Sequence, residues 1–437
     1  MESIGWLGSN YRYVHKIIIH IYIGRIYVRT GGFKVNMLLL TNYYPTPANP
    51  MGGTFITKRL EMVNQCGIDF DAFGVIYDQS IPLKLARTIL NKPRRGSLEN
   101  TDFVEVGDVR YNYIHIPIGI LQASFARISA RISPWRLATI RAEYLFRTID
   151  LQKYDLIHAH CIYPEGYVAC LAKNKYDLPC VLTAHGSDIH TLPYTRPELK
   201  STILRTLESA DAVVFVSNAL LRKSMELGYG GENAVVIPNG VDISSFSILD
   251  KNETRRRNGI YDANIHYVGF VGNLVWVKRA DKLPEIFLNI KEEVPNVKFL
   301  IVGDGNLNDS IRERFVVNGL DVVFTGRVKP EMVSSWMNCM DCLVLPSRNE
   351  GWGNVVLEAQ ACGVPVVGSN AGGIPEAVGE GGLIVEEGDD FEERFAEAVC
   401  TILHNPPNPE KLRKRALEYD WANTVQKEVE VYRGLLR

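Results

Sequence analysis

No apolar run in this chain approaches the roughly 20 residues that a membrane-spanning helix needs. The longest stretches lie near Ile17–Ile23 and Ile116–Ile120, which excludes a multipass membrane protein. Cysteine is sparse and has no regular spacing. Of eight residues, only Cys339-x-x-Cys342 forms a close pair, and no second pair stands at zinc-finger distance. Cys342 opens an apparent buried strand, so core packing is the reading for it, and reduced thiols fit a cytosolic protein. A basic tract with interleaved aromatics is also missing, so nucleic acid is not an expected partner. The small net charge of −2 hides an asymmetry. Residues 1–150 hold 18 Lys and Arg against 11 Asp and Glu, and such a basic part suits an anionic membrane or substrate.

What is present is ordinary in bulk and unusual in one place. The 437 residues, 46% hydrophobic and 22% charged, describe a soluble globular chain of two or three domains. The unusual place is Asn349-Glu350-Gly351-Trp352-Gly353-Asn354-Val355-Val356-Leu357-Glu358. It follows the apolar run Cys342–Leu345 and reads as a strand, a glycine-rich turn and a helix start. Glycines at 351 and 353 allow backbone N–H groups to approach a ligand closely. The positive end of the new helix at Asn354 and Val355 favours phosphate. Glu358, about two turns in, can accept hydrogen bonds from sugar hydroxyls. Phosphate plus polyol describes a nucleotide sugar.

Set between that strand and Cys362-Gly363-Val364-Pro365, the Glu350-x7-Glu358 pattern resembles the donor-site motif of retaining glycosyltransferases of family 4. That resemblance covers roughly residues 34–437. It implies an α/β chain with the GT-B fold, in which two Rossmann-like doubly wound domains face a cleft. The strand and helix signals alternate accordingly in both halves. The expected division is an N-terminal extension over 1–33, an acceptor-binding domain over 34–238, a donor-binding domain over 239–415, and a final helix over 416–437 returning to the first domain. The first convincing strand begins at Lys34. The extension is therefore expected to be a start-site artefact, with the true start near Met37; a membrane-associating extension is the alternative.

The same resemblance implies roles for individual residues. His185, in Thr183-Ala184-His185-Gly186 after a strand, would contact the donor sugar near the reaction centre. Glu350 would orient donor hydroxyls and stabilise positive charge at the anomeric carbon. Gly52 and Gly53 match the first glycine-rich loop. Lys278 matches the lysine that contacts the diphosphate, whereas Asn273 replaces the family's usual arginine and supplies no charge. Arg279, the next residue after Lys278, is a candidate to compensate in part. Arg327 and Val328 would reach the nucleobase, and Gly351, Trp352, Gly353, Asn354, Val355 and Glu358 would complete the donor site. No metal or other cofactor is expected. The literal Asp69-x-Asp71, ahead of an apparent strand at Ala72–Val75, is assigned to chance or surface. His158 and His160 share one side of a strand, with His160 lining the cleft.

The function implied is transfer of a hexose-type sugar, from a UDP- or GDP-linked donor, to a glycan or lipid-linked acceptor in cell-surface polysaccharide biosynthesis. Within the family, Val271-Gly272-Asn273-Leu274 and Val277-Lys278 most resemble the teichuronic-acid and exopolysaccharide enzymes. The expected location is cytoplasmic, with peripheral contact at the inner face of the membrane as a hypothesis. Arg127, Arg131, Arg136, Arg141 and Arg147 mark either a solvated helix face or a basic surface that meets anionic lipid. Two alternatives stand beside transfer: a GT-B-fold nucleotide-sugar epimerase or hydrolase, and an inactive sugar-nucleotide binding protein.

Overall fold

The computed structural model describes residues 19–22, 25–28, 35–44, 52–79, 102–118 and 135–437. Apart from a short antiparallel hairpin of β1 (Ile19–Tyr22) and β2 (Arg25–Val28), the N-terminal extension lies outside them, as do Arg127, Arg131 and the loop 45–51.

The first large sheet has the order β10-β9-β8-β7-β3-β4-β6-β5. Its strands are β3 (Val35–Thr41), β4 (Ile68–Gln79), β5 (Phe103–Val106), β6 (Val109–Ile118), β7 (Leu156–His160), β8 (Cys180–Ala184), β9 (Ala212–Phe215) and β10 (Ala234–Val236). All neighbours are parallel except the edge pair β5–β6. Every residue of β7 and β8 is buried, as expected for central parallel strands covered on both faces. The second sheet, β13-β12-β11-β14-β15-β16, is wholly parallel. It comprises β11 (His266–Val271), β12 (Val297–Val302), β13 (Val322–Gly326), β14 (Cys342–Leu345), β15 (Val366–Ser369) and β16 (Gly382–Val385).

Chain order reverses in each sheet beside its first long strand, between β3 and β7 and between β11 and β14. Parallel α/β sheets bind ligands outside the carboxyl ends of strands at such switch points. The first sheet therefore offers the turns after β3, β7 and β8, and the second those after β11 and β14.

The chain end ties back to the first sheet. Where one final helix over 416–437 is expected, the chain forms two, Pro409–Leu417 and Trp421–Leu435. The break is at Asp420, whose side chain caps the second helix. Val241 exchanges backbone bonds with Tyr419 and Trp421 there, at 2.9 and 3.2 Å. Trp421, Val425, Val429 and Tyr432 then join the core of β3 and the helix Thr54–Gln65. Beneath them Arg59 Nε donates to Glu428 Oε2 at 2.6 Å, with both side chains buried.

Two sequence expectations need correction. Asp69 and Asp71 lie inside β4 rather than ahead of it. Asp71 there accepts from Lys153 at 2.8 Å and Tyr154 at 2.6 Å. Arg141 belongs to no solvated face: it is buried and paired with buried Glu165, which Asn42 also contacts. The helix carrying Arg141 begins at Trp135.

Candidate active site

On the C-terminal side, the turns after β11 and β14 face each other. After β11, Asn273 is exposed, and a tight turn over Trp276–Lys278 presents the Lys278 ammonium. After β14, Glu350 receives that ammonium in a direct ion pair. Ser347 Oγ donates to the same carboxylate oxygen at 2.9 Å. Arg279 adopts a left-handed φ of 53°. It is committed elsewhere: its guanidinium grips Glu387 at 2.7 and 2.8 Å and covers the Phe391 ring. Its charge is therefore already paired with Glu387 in this structure.

The glycine-rich turn is held by close backbone packing. A Cβ on Gly351 would meet the His185 carbonyl oxygen at 2.0 Å, and one on Gly372 would meet the Glu350 carbonyl oxygen at 2.0 Å. Ser217 Oγ donates to the Gly351 carbonyl at 2.8 Å, and Glu376 accepts from the backbone of Asn218 and Ala219. The two sheets thus meet through the turn itself. Gly353, at φ 90°, starts the helix Asn354–Ala361, whose first N–H groups have no partner within the helix. Asn354 Oδ1 accepts from Asn239 at 3.0 Å. Trp352 points inward, 3% exposed, against Tyr419, so its backbone rather than its indole can face a ligand. Burial pushes the Glu358 carboxyl up to about 7, with Lys278 opposing.

The N-terminal side is aromatic and neutral. Gly186, with φ of 133°, follows His185. Asp188 fixes this turn by accepting from the N–H groups of Gly186 and Ile162 at 2.9 and 3.1 Å. Tyr43 and Phe55 pack edge-on against His185 at 5.5 and 5.3 Å. Phe55 belongs to the helix that Gly53 starts at φ 68°; a Cβ there would meet the Tyr43 carbonyl oxygen at 2.2 Å. Gly53 is thereby placed against Tyr43, whose ring packs on His185, with Gly52 preceding it. Behind it, His160 Nδ1 and His185 Nε2 lie 2.8 Å apart. Burial holds both imidazoles well below the ordinary histidine value.

The structure therefore brings together Gly53, His185, Lys278, Glu350, Gly351, Gly353, Asn354 and Glu358. Arg327 and Val328 stand further out, after β13 at the edge of the second sheet, with Arg327 exposed. His160 does not line the cleft; it is wholly buried behind His185. Sequence reasoning missed its bond to His185, as well as Ser217, Ser347 and Glu376. The His-x-His spacing was the one visible signal for the first, and the serines carry none.

Two family models match the chain, one described as Glycosyltransferase Family 4 over residues 107–245 and one as Glycosyl transferases group 1 over residues 265–405. N-acetyl-alpha-D-glucosaminyl L-malate synthase of Bacillus anthracis is 32% identical over 296 residues, covering 65% of this chain and 74% of that protein. The chain belongs to glycosyltransferase family 4. The putative teichuronic acid biosynthesis glycosyltransferase TuaC of Bacillus subtilis matches this glycosyltransferase at 27% identity, over 90% of this chain and 94% of its own. Among solved structures, sucrose-phosphate synthase of Thermosynechococcus elongatus superposes with a TM-score of 0.69 at 20% identity, covering 92% of this chain and 99% of that one. HepE of Anabaena, in complex with UDP and glucose, gives 0.64 at 20% identity, covering 92% and 100%. At such identities these two establish the fold, which is GT-B.

Proposed function

We propose that this glycosyltransferase moves a hexose-type sugar, with retention of configuration, from a nucleoside-diphosphate sugar to a glycan or lipid-linked acceptor in cell-surface polysaccharide assembly. The observation that carries the reading is the Lys278–Glu350 pair, set between two strand ends and facing His185 across the packed glycine turn. An ammonium and a carboxylate in contact can be separated by an arriving diphosphate. Lys278 then neutralises charge growing on the leaving phosphate, while Glu350 turns to the sugar and to positive charge at the anomeric carbon. The free N–H groups of Asn354 and Val355 supply further donors to phosphate. Glu358 accepts from ribose, and Arg327 with Val328 lies towards the base. With these donors the reaction needs no metal.

A nucleotide sugar is supported by HepE, whose structures hold UDP and UDP-glucose, and UDP is therefore preferred over GDP. A polysaccharide acceptor is supported by the similarity to TuaC. A cavity of about 690 Å³ opens on Glu350 between the two halves, bounded by His190, Tyr194, Arg222 and Lys223 on one side and Arg348 and Gly372 on the other. It has room for an acceptor sugar, and Tyr194 offers an exposed ring for stacking. No helix of the described residues is long and apolar enough to cross a membrane. Action at the cytoplasmic face, reached by peripheral contact, suits a lipid-linked acceptor.

The test is a thermal-shift screen against UDP-, GDP-, dTDP- and ADP-sugars in EDTA, repeated with Lys278→Ala. A ligand that binds only the native state raises its stability. Stabilisation by one donor, lost in the variant, supports the site. No shift with any donor, or one that requires metal, counts against the reading. The anomeric configuration of the product, read by NMR, decides retention.

A further inference from the structure

We infer that Glu376 is a positioning residue: it clamps the helix Asn218–Leu227 of the first domain onto the second, and so holds His185 and one wall of the cavity against the turn that carries Glu350. The kinetic part of this inference rests on the reading above, and the structural part does not.

The helix Asn218–Leu227 follows β9, whereas Glu376 lies in the short helix Ile374–Val378 between β15 and β16. The two belong to different sheets. Glu376 Oε2 accepts from Asn218 N and Nδ2 at 2.9 and 2.8 Å, and Oε1 accepts from Ala219 N at 2.7 Å. A helix leaves its first N–H groups without internal partners, and its positive end attracts a carboxylate. Bonds to an ionised acceptor are stronger than neutral ones. Arg222 Nη2 stands 3.9 Å from Glu376, too far for a hydrogen bond, so backbone and amide donors carry the contact.

The helix has a cap of its own in Ser217, whose Oγ accepts from Leu220 N at 3.1 Å. The same hydroxyl gives its one proton to the Gly351 carbonyl across the domain boundary. The N–H groups of Asn218 and Ala219 are left to a group from the other domain, and Glu376 takes both. On its own side Glu376 is tied to the catalytic turn through backbone: Gly373 N donates to the Glu350 carbonyl at 3.0 Å, three residues before Glu376. The Glu350–Gly351 segment is thus supported by Gly373 from one domain and by Ser217 from the other, and the Glu376 carboxylate joins the two supports. Leu220, Arg222 and Lys223 of the clamped helix line the cavity that opens on Glu350, so the clamp also sets how wide that cavity stands.

The contact can open without unfolding either domain. The Glu376 side chain keeps 24% of its exposure and Asn218 is exposed, so water can replace each bond as it breaks. The backbone bonds of Val241 with Tyr419 and Trp421 lie elsewhere along the boundary and do not depend on it. Closure of two domains completes a site only while the closed form is held.

The experiment compares full-length wild type, Glu376→Ala and Glu376→Gln by amide hydrogen exchange, small-angle scattering, UDP calorimetry and turnover of the UDP-sugar. Glu376→Ala should speed exchange at Asn218, at Ala219 and across 350–354, and should enlarge the radius of gyration. It should lower kcat about tenfold or more, because a small misplacement of reacting groups is costly. UDP affinity should stay near that of wild type, because Lys278, Glu350 and Asn354 all belong to the second domain. Glu376→Gln keeps one acceptor oxygen and should fall between the two on each affected measure. Wild-type exchange and kcat in Glu376→Ala overturn the proposal. So does a loss of UDP affinity as large as the loss of kcat, which would make Glu376 a stabiliser of the donor side alone. Should Glu376→Ala fail to fold, Glu376→Gln decides by the same split between kcat and UDP affinity. Should UDP not bind wild type and no donor be turned over, the functional reading fails, while exchange and scattering still test the clamp.

Discussion

The N-terminal wall of the cleft buries most of its polar groups and binds them largely to one another, whereas the C-terminal wall keeps its charges in reach of solvent and ligand. His158, His160 and Thr183 have no exposed surface, and burial lowers the His158 imidazole to about 4. Across the cleft, the Lys278 side chain retains 26% of its exposure and Glu350 12%. A buried and largely hydrogen-bonded network is rigid, because rearranging it would leave further polar groups unpaired. A partly hydrated ion pair is weak, about 0–1 kcal/mol, and so can be traded for a stronger partner. The difference teaches that this site holds its sugar-facing side preorganised and leaves its phosphate-facing side to rearrange.

The comparison breaks most severely if the rigid wall is cut at its base. Arg59→Met leaves the Glu428 carboxylate buried without its cation, and losing one partner of a buried pair costs about 3–5 kcal/mol. The urea midpoint should fall accordingly, and the helix Trp421–Leu435 should become open to proteolysis. Arg59→Met combined with Glu428→Leu should recover part of the loss. An unchanged midpoint in the single variant would mean that the buried network does not hold that wall.

On the opposite wall the large effect should be kinetic. Lys278→Ala should lower kcat/KM by about 10²–10³, as for loss of one charge-stabilising donor, while stability moves by no more than about 1 kcal/mol. Steady-state kinetics with denaturation of the same sample checks both. A stability loss as large as that of Arg59→Met would erase the contrast between the walls.

A third change tests their contact. Gly351 has an ordinary backbone conformation, yet an added Cβ would strike the His185 carbonyl. Gly351→Ala therefore adds only bulk. Overpacking of this kind costs about 1–3 kcal/mol, and it should separate the walls and lower activity together. Wild-type kinetics from Gly351→Ala would show that this contact does not matter to turnover.

The sheets are legible because parallel strands are short, mostly apolar runs: β14 and β16 are unbroken, while β7 and β12 are interrupted only by His158, His160 and Lys298. Strand β4 begins before the expected Ala72 because Asp69 and Asp71 look like loop residues, and Asp71 is held by Lys153 and Tyr154, some 80 positions later. Arg141 failed similarly, its partner Glu165 being invisible to a helix-face argument. The site was legible where chemistry repeats a motif, as at Lys278 and Glu350. The bond from His160 to His185 needed knowledge that β7 lies beside β8 with His160 opposite Thr183. Local sequence carries no such register.

The smallest effect sharpens the comparison through pH. Burial raises the Glu358 carboxyl from an ordinary 4.5 to about 7. If this carboxylate accepts from ribose, donor binding needs its ionised form. Affinity should then rise about tenfold from pH 6 to pH 8 and flatten above, because a proton must first leave a group that titrates near 7. Ligand-free stability runs the other way. A carboxyl raised in the folded state binds its proton more tightly there than in the unfolded chain. Its contribution is greatest below 4.5, falls as pH rises towards 7, and is level beyond. Glu358→Gln should remove this contribution from the stability curve and leave donor affinity independent of pH across this range. The buried histidines stay neutral in the fold and add nothing to the affinity slope, but they take up protons on unfolding below about 6.5, so their share of the stability rises with pH and opposes that of Glu358. A tenfold change in affinity that survives in Glu358→Gln would move the titrating group elsewhere in the protein, because the phosphates of a nucleoside-diphosphate sugar stay ionised across this range.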